Sequence, residues 1–129
     1  EKLVYITDTG FVPNRFKPYL QDADYYIFES NYDIGQLLQT RRPMFVKQRI
    51  LSDNGHLCNE DSAKNLSQIV NTHTKEIVLA HLSQEANHPQ LAMDVTQDTF
   101  RSQSLPLSGI RLRAAGQFEV LHLGHDNKE

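Results

Sequence analysis

The sequence predicts an α/β fold, because three strand-like apolar runs alternate with segments of helical periodicity. A second observation indicates where a functional site lies in this fold. Each run is followed by, or ends on, a side chain that can bind metal or move protons, namely Asp8, Glu29 and His81. The carboxyl ends of neighbouring parallel strands meet at one edge of a sheet, so these three strand ends predict one shared site. The three runs are residues 2–7, 23–29 and 77–81.

The first half of the chain supplies two of these strands. Strand 2–7 is too uniformly apolar for a strand with one wet face, so we expect cover on both of its sides. Pro13 and Pro18 bracket a helix of at most two turns. After strand 23–29, a short helix is predicted at 32–39 and a short helix or irregular piece at 45–51, with Pro43 between them.

The second half begins with the clearest helix start in the sequence. Asn59 is predicted as its N-cap, with acidic residues at 60 and 61 placed well against the helix dipole. The strand leading to His81 follows, and then a long helix with Pro89 in its first turn. Two last strands, 110–114 and 118–123, are joined through 115–117 and predict a mixed sheet that ends in an antiparallel hairpin.

Composition limits the classes of function. The 129 residues carry a net charge of −3 with a pI near 6.1, so only a local patch could hold a polyanion. The single cysteine, Cys58, rules out an intramolecular disulfide and favours a reducing, cytoplasmic location. No apolar run approaches a membrane span, and we expect no membrane partner. The chain opens abruptly on a strand without an initiator Met, from which we expect a piece of a longer protein.

The candidate site residues each have a simpler interpretation. Asp8 alone would cap the turn that follows it, and His81 alone would be a histidine at the core edge that bonds a backbone carbonyl. Together they are ligand types that suit zinc, with a carboxylate able to bridge two ions. His56 lies before a helix N-terminus and after Gly55, which suits an anionic group or an ordinary polar loop. Glu29 is predicted to support the site or to form a turn, rather than to bind metal directly.

A basic cluster lies between the second strand and His56. It is either a solvated face or a nucleic-acid track on which Tyr32 and Phe45 stack against bases. The sequence contains no glycine-rich phosphate loop and no Gly-x-Ser-x-Gly elbow, so nucleoside triphosphatase and serine hydrolase functions have no support. The cluster consists of Arg41, Arg42, Lys47 and Arg49.

Three segments together resemble a known family. The first is Tyr5-Ile-Thr-Asp-Thr-Gly10. The second combines Phe28-Glu-Ser-Asn-Tyr-Asp33 with the later stretch 47–61, which contains Asp-Asn-Gly-His-Leu-Cys-Asn. The third is Leu79-Ala-His-Leu-Ser-Gln-Glu-Ala-Asn87. Over roughly residues 2–103 the chain resembles the C-terminal half of metallo-β-lactamase-superfamily hydrolases, of the bacterial WalJ/YycJ/VicX group. Cys58 stands where such proteins usually carry Ser, and Ala86 where they commonly carry Asn.

The resemblance implies half of an αββα sandwich with a two-metal site that uses Zn or Mn to activate a hydroxide. It implies that Asp8 bridges the two ions, that His81 is the last metal-binding histidine, and that His56 contacts the scissile phosphate or leaving group. The implied substrate is nucleic acid, and the implied activity is that of a phosphodiesterase or exonuclease. The predicted substrate-binding residues are Asn31, Arg41, Arg42 and Asn59.

The superfamily's His-x-His-x-Asp-His motif does not occur in this sequence. We therefore expect the missing N-terminal half of the domain as a partner and expect this chain alone to be inactive. Two other functions stay open: a hydrolase of the same fold acting on a small ester, thioester or lactone, and a non-catalytic regulatory or interaction domain. Self-association through an unpaired sheet edge is a further expectation.

Overall fold

The computed structural model describes residues 1–7, 9–51, 55–105 and 107–115. Within these ranges the chain forms four strands, five α-helices and one short 3-10 helix at Asn14–Phe16. The α/β class is confirmed. The elements are β1 (Leu3–Ile6), α1 (Lys17–Leu20), β2 (Tyr25–Glu29), α2 (Ile34–Gln39), α3 (Met44–Leu51), α4 (Asn59–Ile69), β3 (Glu76–Ala80), α5 (Pro89–Ser102) and β4 (Arg111–Ala114).

The four strands form one sheet in the order β1-β2-β3-β4, and every pairing is parallel. The carboxyl ends of β2 and β3 are in register at Glu29 and Ala80, so the residues that follow them share one sheet edge. The antiparallel hairpin is not confirmed. Its first strand is β4, which lies parallel to β3, and its second strand at 118–123 lies outside the described residues.

One face of the sheet carries the core. Alternating residues of the strands pack against α4 and α5, which also pack against each other, because every second side chain of a strand points to the same face. α5 has Pro89 in its first turn, as predicted, and His88 is its N-cap. The buried core includes Val4, Tyr26, Phe28, Leu66, Ile69, Ile77, Leu79, Ala92 and Phe100.

The opposite face of β1 is open. Leu3 and Tyr5 are 53% and 62% exposed, so the expectation of cover on both sides of this strand is wrong within the described residues. Tyr5 pairs with Ile27, which places the exposed apolar side chains on the face away from α4 and α5. Beside it, a groove of about 700 Å³ is lined by apolar residues that include Phe11, Phe16 and Tyr19. No helix among the described residues is both long and apolar enough to cross a membrane.

Candidate metal centre

Three side chains from separate parts of the chain meet at the carboxyl edge of the sheet. Glu29 is the last residue of β2, and His81 directly follows β3. His56 precedes α4, and its neighbour Leu57 is fixed beside the end of β2, since the Leu57 carbonyl accepts from the Asn31 N–H at 2.8 Å. The parallel pairing of β2 with β3 thus brings together Glu29 and His81, which are 52 positions apart in the chain.

Glu29 is fully buried and lies at the centre of this cluster. Its Oε1 lies 2.5 Å from Nδ1 of His81 and 3.3 Å from Nδ1 of His56. Its Oε2 accepts the Leu57 N–H at 2.8 Å. The two imidazole rings stand edge to face, with centroids 5.1 Å apart. Both oxygens of the carboxylate are therefore engaged, and both histidines turn the same ring nitrogen toward it.

The donor set suits a divalent transition metal. One ligand atom from each of Glu29, His56 and His81 lies within 4.8 Å of the others, the one such group found in the described parts of the chain. Imidazole nitrogen and carboxylate oxygen are ligands of zinc and manganese. A carboxylate that accepts a hydrogen bond from one ring nitrogen of a histidine also orients the other nitrogen for a metal. Glu29 is placed for that supporting role with respect to both rings.

His81 has a backbone conformation that non-glycine residues seldom adopt, with φ at +60°. The Asn31 side-chain N–H group donates to the His81 carbonyl at 2.5 Å, and the Ser83 N–H donates to the Asn31 carbonyl at 2.7 Å. These bonds hold the chain where it leaves β3. Sparsely populated conformations of this kind persist where surrounding contacts determine them and are common at functional sites.

Beneath the cluster lies a buried amide network. The Ser30 hydroxyl donates to Asn59 Oδ1 at 2.6 Å, and the Asn59 and Asn87 side chains lie 2.9 Å apart. Asn87 also donates to the Ser30 carbonyl at 2.8 Å. Asn59 is completely buried, so its contacts in this structure are with the protein. Asn87 was not predicted; its position directly before a helix N-cap was the available signal.

The N-cap of α4 is Cys58, so the prediction of Asn59 was wrong by one residue. The Cys58 sulfur accepts the Asp61 N–H at 3.3 Å. Burial raises the pKa of the Cys58 thiol to about 12, so it stays a neutral thiol near neutral pH. A thiol is a weak acceptor, and the pattern favoured asparagine because amides are stronger caps.

Gly55 sets how closely the His56 loop approaches α3. A methyl group at this position would collide with the backbone carbonyl oxygens of Arg49 and Ile50. Carbonyl groups at a helix end cannot move aside as a flexible side chain can. The glycine is therefore required for space, and α3 braces the loop that carries His56.

The basic cluster is only partly a surface feature. Arg41 is exposed, and Arg42 pairs with Glu85 at 3.2 Å. Lys47, by contrast, is 7% exposed, and its ammonium group donates to the Leu38 carbonyl at 2.8 Å. Tyr32 is 4% exposed, so it is not available to stack on bases as the nucleic-acid alternative requires. Its ring packs with Leu37 and Cys58 instead, in a small second core.

The structure brings together Glu29 and His81, two of the three predicted strand-end residues. His81 and His56 were predicted site residues, and they lie side by side. Glu29 is more central to the site than predicted, since it is buried and contacts both imidazoles. The sequence alone shows only a carboxylate at a strand end, and neither its burial nor these contacts can be inferred from that. Asp8 lies outside the described residues; β1 ends two positions earlier, at Ile6, beside β2.

Curated proteins and a solved structure show what this chain is similar to. No protein-family model matches the sequence. The chain is 47% identical over 97 residues to Exodeoxyribonuclease YycJ of Bacillus anthracis, covering 74% of this chain and 37% of YycJ. It is 42% identical over 92 residues to Exodeoxyribonuclease WalJ of Streptococcus pneumoniae, covering 71% of this chain and 34% of WalJ. The chain thus spans about a third of the length of these curated relatives.

A solved structure gives the fold. The metallo-β-lactamase fold protein YhfI from Bacillus subtilis superposes with a TM-score of 0.56 at 19% identity, covering 88% of this chain and 36% of YhfI. The resemblance found in the sequence is therefore confirmed at the level of relatives and fold. The chain is a homologue of the YycJ and WalJ exodeoxyribonucleases and has a metallo-β-lactamase-type fold.

Proposed function

We propose that the complete protein containing this chain is a metal-dependent hydrolase that removes nucleotides from DNA as an exonuclease. The observation that carries the proposal is the convergence of His56 and His81 on the buried Glu29 carboxylate. Support for DNA as substrate comes from the names of the YycJ and WalJ relatives. A cytoplasmic location is part of the proposal, because DNA is there and Cys58 is a buried free thiol.

The proposed metal ligands in this chain are His81 and Asp8. Glu29 holds Nδ1 of His81, so the ring would offer Nε2 to a divalent zinc or manganese ion. Asp8 would bridge two such ions from its position just after β1. When bound, a pair of ions lowers the pKa of water and neutralises charge on the phosphoryl oxygens.

His56 is proposed to act on the phosphate directly. With Nδ1 facing the Glu29 carboxylate, the ring is favoured in a form that carries a proton there. In its imidazolium form it can donate from Nε2 to a phosphate oxygen or to the departing oxygen of the sugar. Glu29 would orient both rings and offset the positive charge on His56.

The remaining ligands are proposed to come from the N-terminal half of the same domain. Even one catalytic zinc typically has three protein ligands, and this chain would supply two. About two thirds of the length of YycJ and WalJ has no counterpart in the matched part of this chain. The open apolar face at Leu3 and Tyr5 is a suitable surface for that half. The chain by itself would then be inactive.

The test measures hydrolysis of end-labelled linear DNA by the complete, metal-loaded protein. We expect progressive shortening from an end that is abolished by His81→Ala and by Asp8→Ala. The matched control is His73→Ala, an exposed histidine away from the cluster, which should keep full activity. Inert DNA together with rapid turnover of a small ester, thioester or lactone would contradict the proposal. So would DNA hydrolysis that both variants retain.

A further inference from the structure

The connection from α2 into the first turn of α3 presents an unusual surface. Within five consecutive positions it places Arg41 and Arg42 next to Met44 and Phe45, whose exposed fractions are 57% and 65%. Large apolar side chains with this exposure are normally covered by a ligand or partner when they are grouped. We name residues 41–45 the basic-aromatic loop.

The internal contacts of α3 explain why Phe45 points outward. The helix starts at Met44, directly after Pro43, whose carbonyl accepts from the N–H groups of Val46 and Lys47 at 3.0 and 3.1 Å. Lys47 is directed inward and ties α3 to the end of α2 through the Leu38 carbonyl. Residues two positions apart on a helix lie on different faces. The contact that buries Lys47 therefore leaves Phe45 in solvent.

The same helix links this loop to the candidate metal centre. At its other end, the Arg49 and Ile50 carbonyls lie against Gly55, the residue before His56. Eight residues of helix span about 12 Å. Stacked DNA advances about 3.4 Å per nucleotide along a strand, so the length of α3 corresponds to about three or four stacked nucleotides.

We propose that the basic-aromatic loop binds the single-stranded end of the DNA, with a base stacked on Phe45 and phosphates near Arg41 and Arg42. The inference rests on the proposed function and adds the form of DNA that is recognised. Cations beside an exposed aromatic are the combination by which proteins hold single strands without reading their sequence. In a paired duplex the base faces are stacked on each other, so the ring gains a base only at an unpaired end.

The test measures affinity of the complete protein for a single-stranded oligonucleotide and for a blunt duplex, with EDTA present to prevent cleavage. We expect Phe45→Leu, which keeps the apolar area but removes the ring, to weaken single-strand binding about tenfold. Duplex binding should change less than twofold. Phe45→Trp is the matched control that keeps an aromatic face; it should retain affinity, and its fluorescence should be quenched on binding.

A small phosphodiester, bis(p-nitrophenyl) phosphate, separates failure of this inference from failure of the proposed function. It is too short to reach Phe45, so Phe45→Leu should hydrolyse it as fast as the parent. If the parent neither cleaves nor binds DNA, the proposed function is wrong and the inference falls with it. If the parent cleaves DNA and Phe45→Leu binds single strands with unchanged affinity, the inference alone is wrong. A changed oligomeric state with unchanged DNA binding would make the loop a protein interface and would equally overturn it.

Discussion

Nδ1 of His81 lies 2.5 Å from Oε1 of Glu29, which is completely buried at the end of the neighbouring strand. A buried carboxylate is costly unless it is paired, and this one is shared between two imidazoles and a backbone N–H. We therefore expect the chemistry proposed for this site to depend on Glu29, a residue that need not contact the substrate.

Glu29→Gln tests this dependence. The amide keeps the size of the side chain but loses the charge that orients both histidines. We expect metal affinity or the kcat/KM for DNA to fall about 10- to 100-fold, the usual effect of removing a residue that supports metal ligands. Glu1→Gln, an exposed carboxylate paired with Lys75, is the matched control and should leave both quantities unchanged. Equal values for Glu29→Gln and the parent would show that the carboxylate is only a structural acceptor.

The bond from Asn31 to the His81 carbonyl gives a second prediction. Asn31→Ala should release the backbone at His81 and lower stability by about 1 kcal/mol. Metal affinity should also fall, because the left-handed conformation would no longer be held. Asn65→Ala removes an exposed side-chain bond of similar length and should affect stability only. Isothermal titration with zinc, together with urea unfolding, checks both; metal affinity identical in the two variants would contradict the prediction.

Gly55→Ala should lower turnover of DNA while the protein stays folded. The added methyl group must displace either α3 or the loop, and moving His56 by about 1 Å can cost about 100-fold in rate. Gly35→Ala is the matched control, because a methyl group there meets only the Asp33 side chain, at 3.2 Å. We expect that change to alter stability by no more than about 1 kcal/mol and to leave turnover unchanged. Full activity of Gly55→Ala would mean that the loop position is not critical.

A fourth prediction concerns the ion pair between Glu76 and Arg113, whose side chains are 2% and 12% exposed. Arg113→Leu leaves a buried carboxylate without this partner and should cost about 3–5 kcal/mol of unfolding free energy. The double change Glu76→Leu with Arg113→Leu should cost less than Arg113→Leu alone, since no charge is then stranded. Urea unfolding of the variants gives the comparison. A double variant less stable than the single variant would contradict it.

The raised pKa of Cys58 predicts how the stability of the protein depends on pH. An unfolded cysteine has a pKa of about 8.5, whereas burial raises that of Cys58 to about 12. The stability contributed by the neutral buried thiol is therefore complete below about pH 8.5 and is lost as the pH rises toward 12. Cys58→Ser keeps a side-chain cap on α4 and should remove most of this slope. Fast reaction of the native protein with a thiol reagent at pH 8 would argue against the buried, neutral form.

Much of the fold follows from local pattern. β2 and β3 were predicted close to their observed bounds because apolar runs are strong signals, and the start of α5 was predicted because a proline in the first turn is another. His81 was placed at a strand end for the same reason. The end of the sheet was harder to predict: the last described strand, β4, pairs in parallel with β3, and the hairpin partner predicted for it at 118–123 lies outside the described residues.

The parts of the site that escaped prediction depend on tertiary burial. Lys47 looked like a surface cation, but its ammonium group finds a carbonyl of α2 and its stem is covered. Tyr32 looked available for stacking, yet its ring fills a small core. Glu29 resembled a turn residue, and only the register of β2 with β3 reveals that His81 lies beside it.

The most direct test of the account is the metal content of the complete protein, measured by inductively coupled plasma mass spectrometry after purification without chelator. The account predicts about two zinc or manganese ions per chain. His81→Ala should lose at least one of them, and His73→Ala should lose none. A parent protein without bound metal, or a His81→Ala variant that keeps the full metal content, would contradict the account.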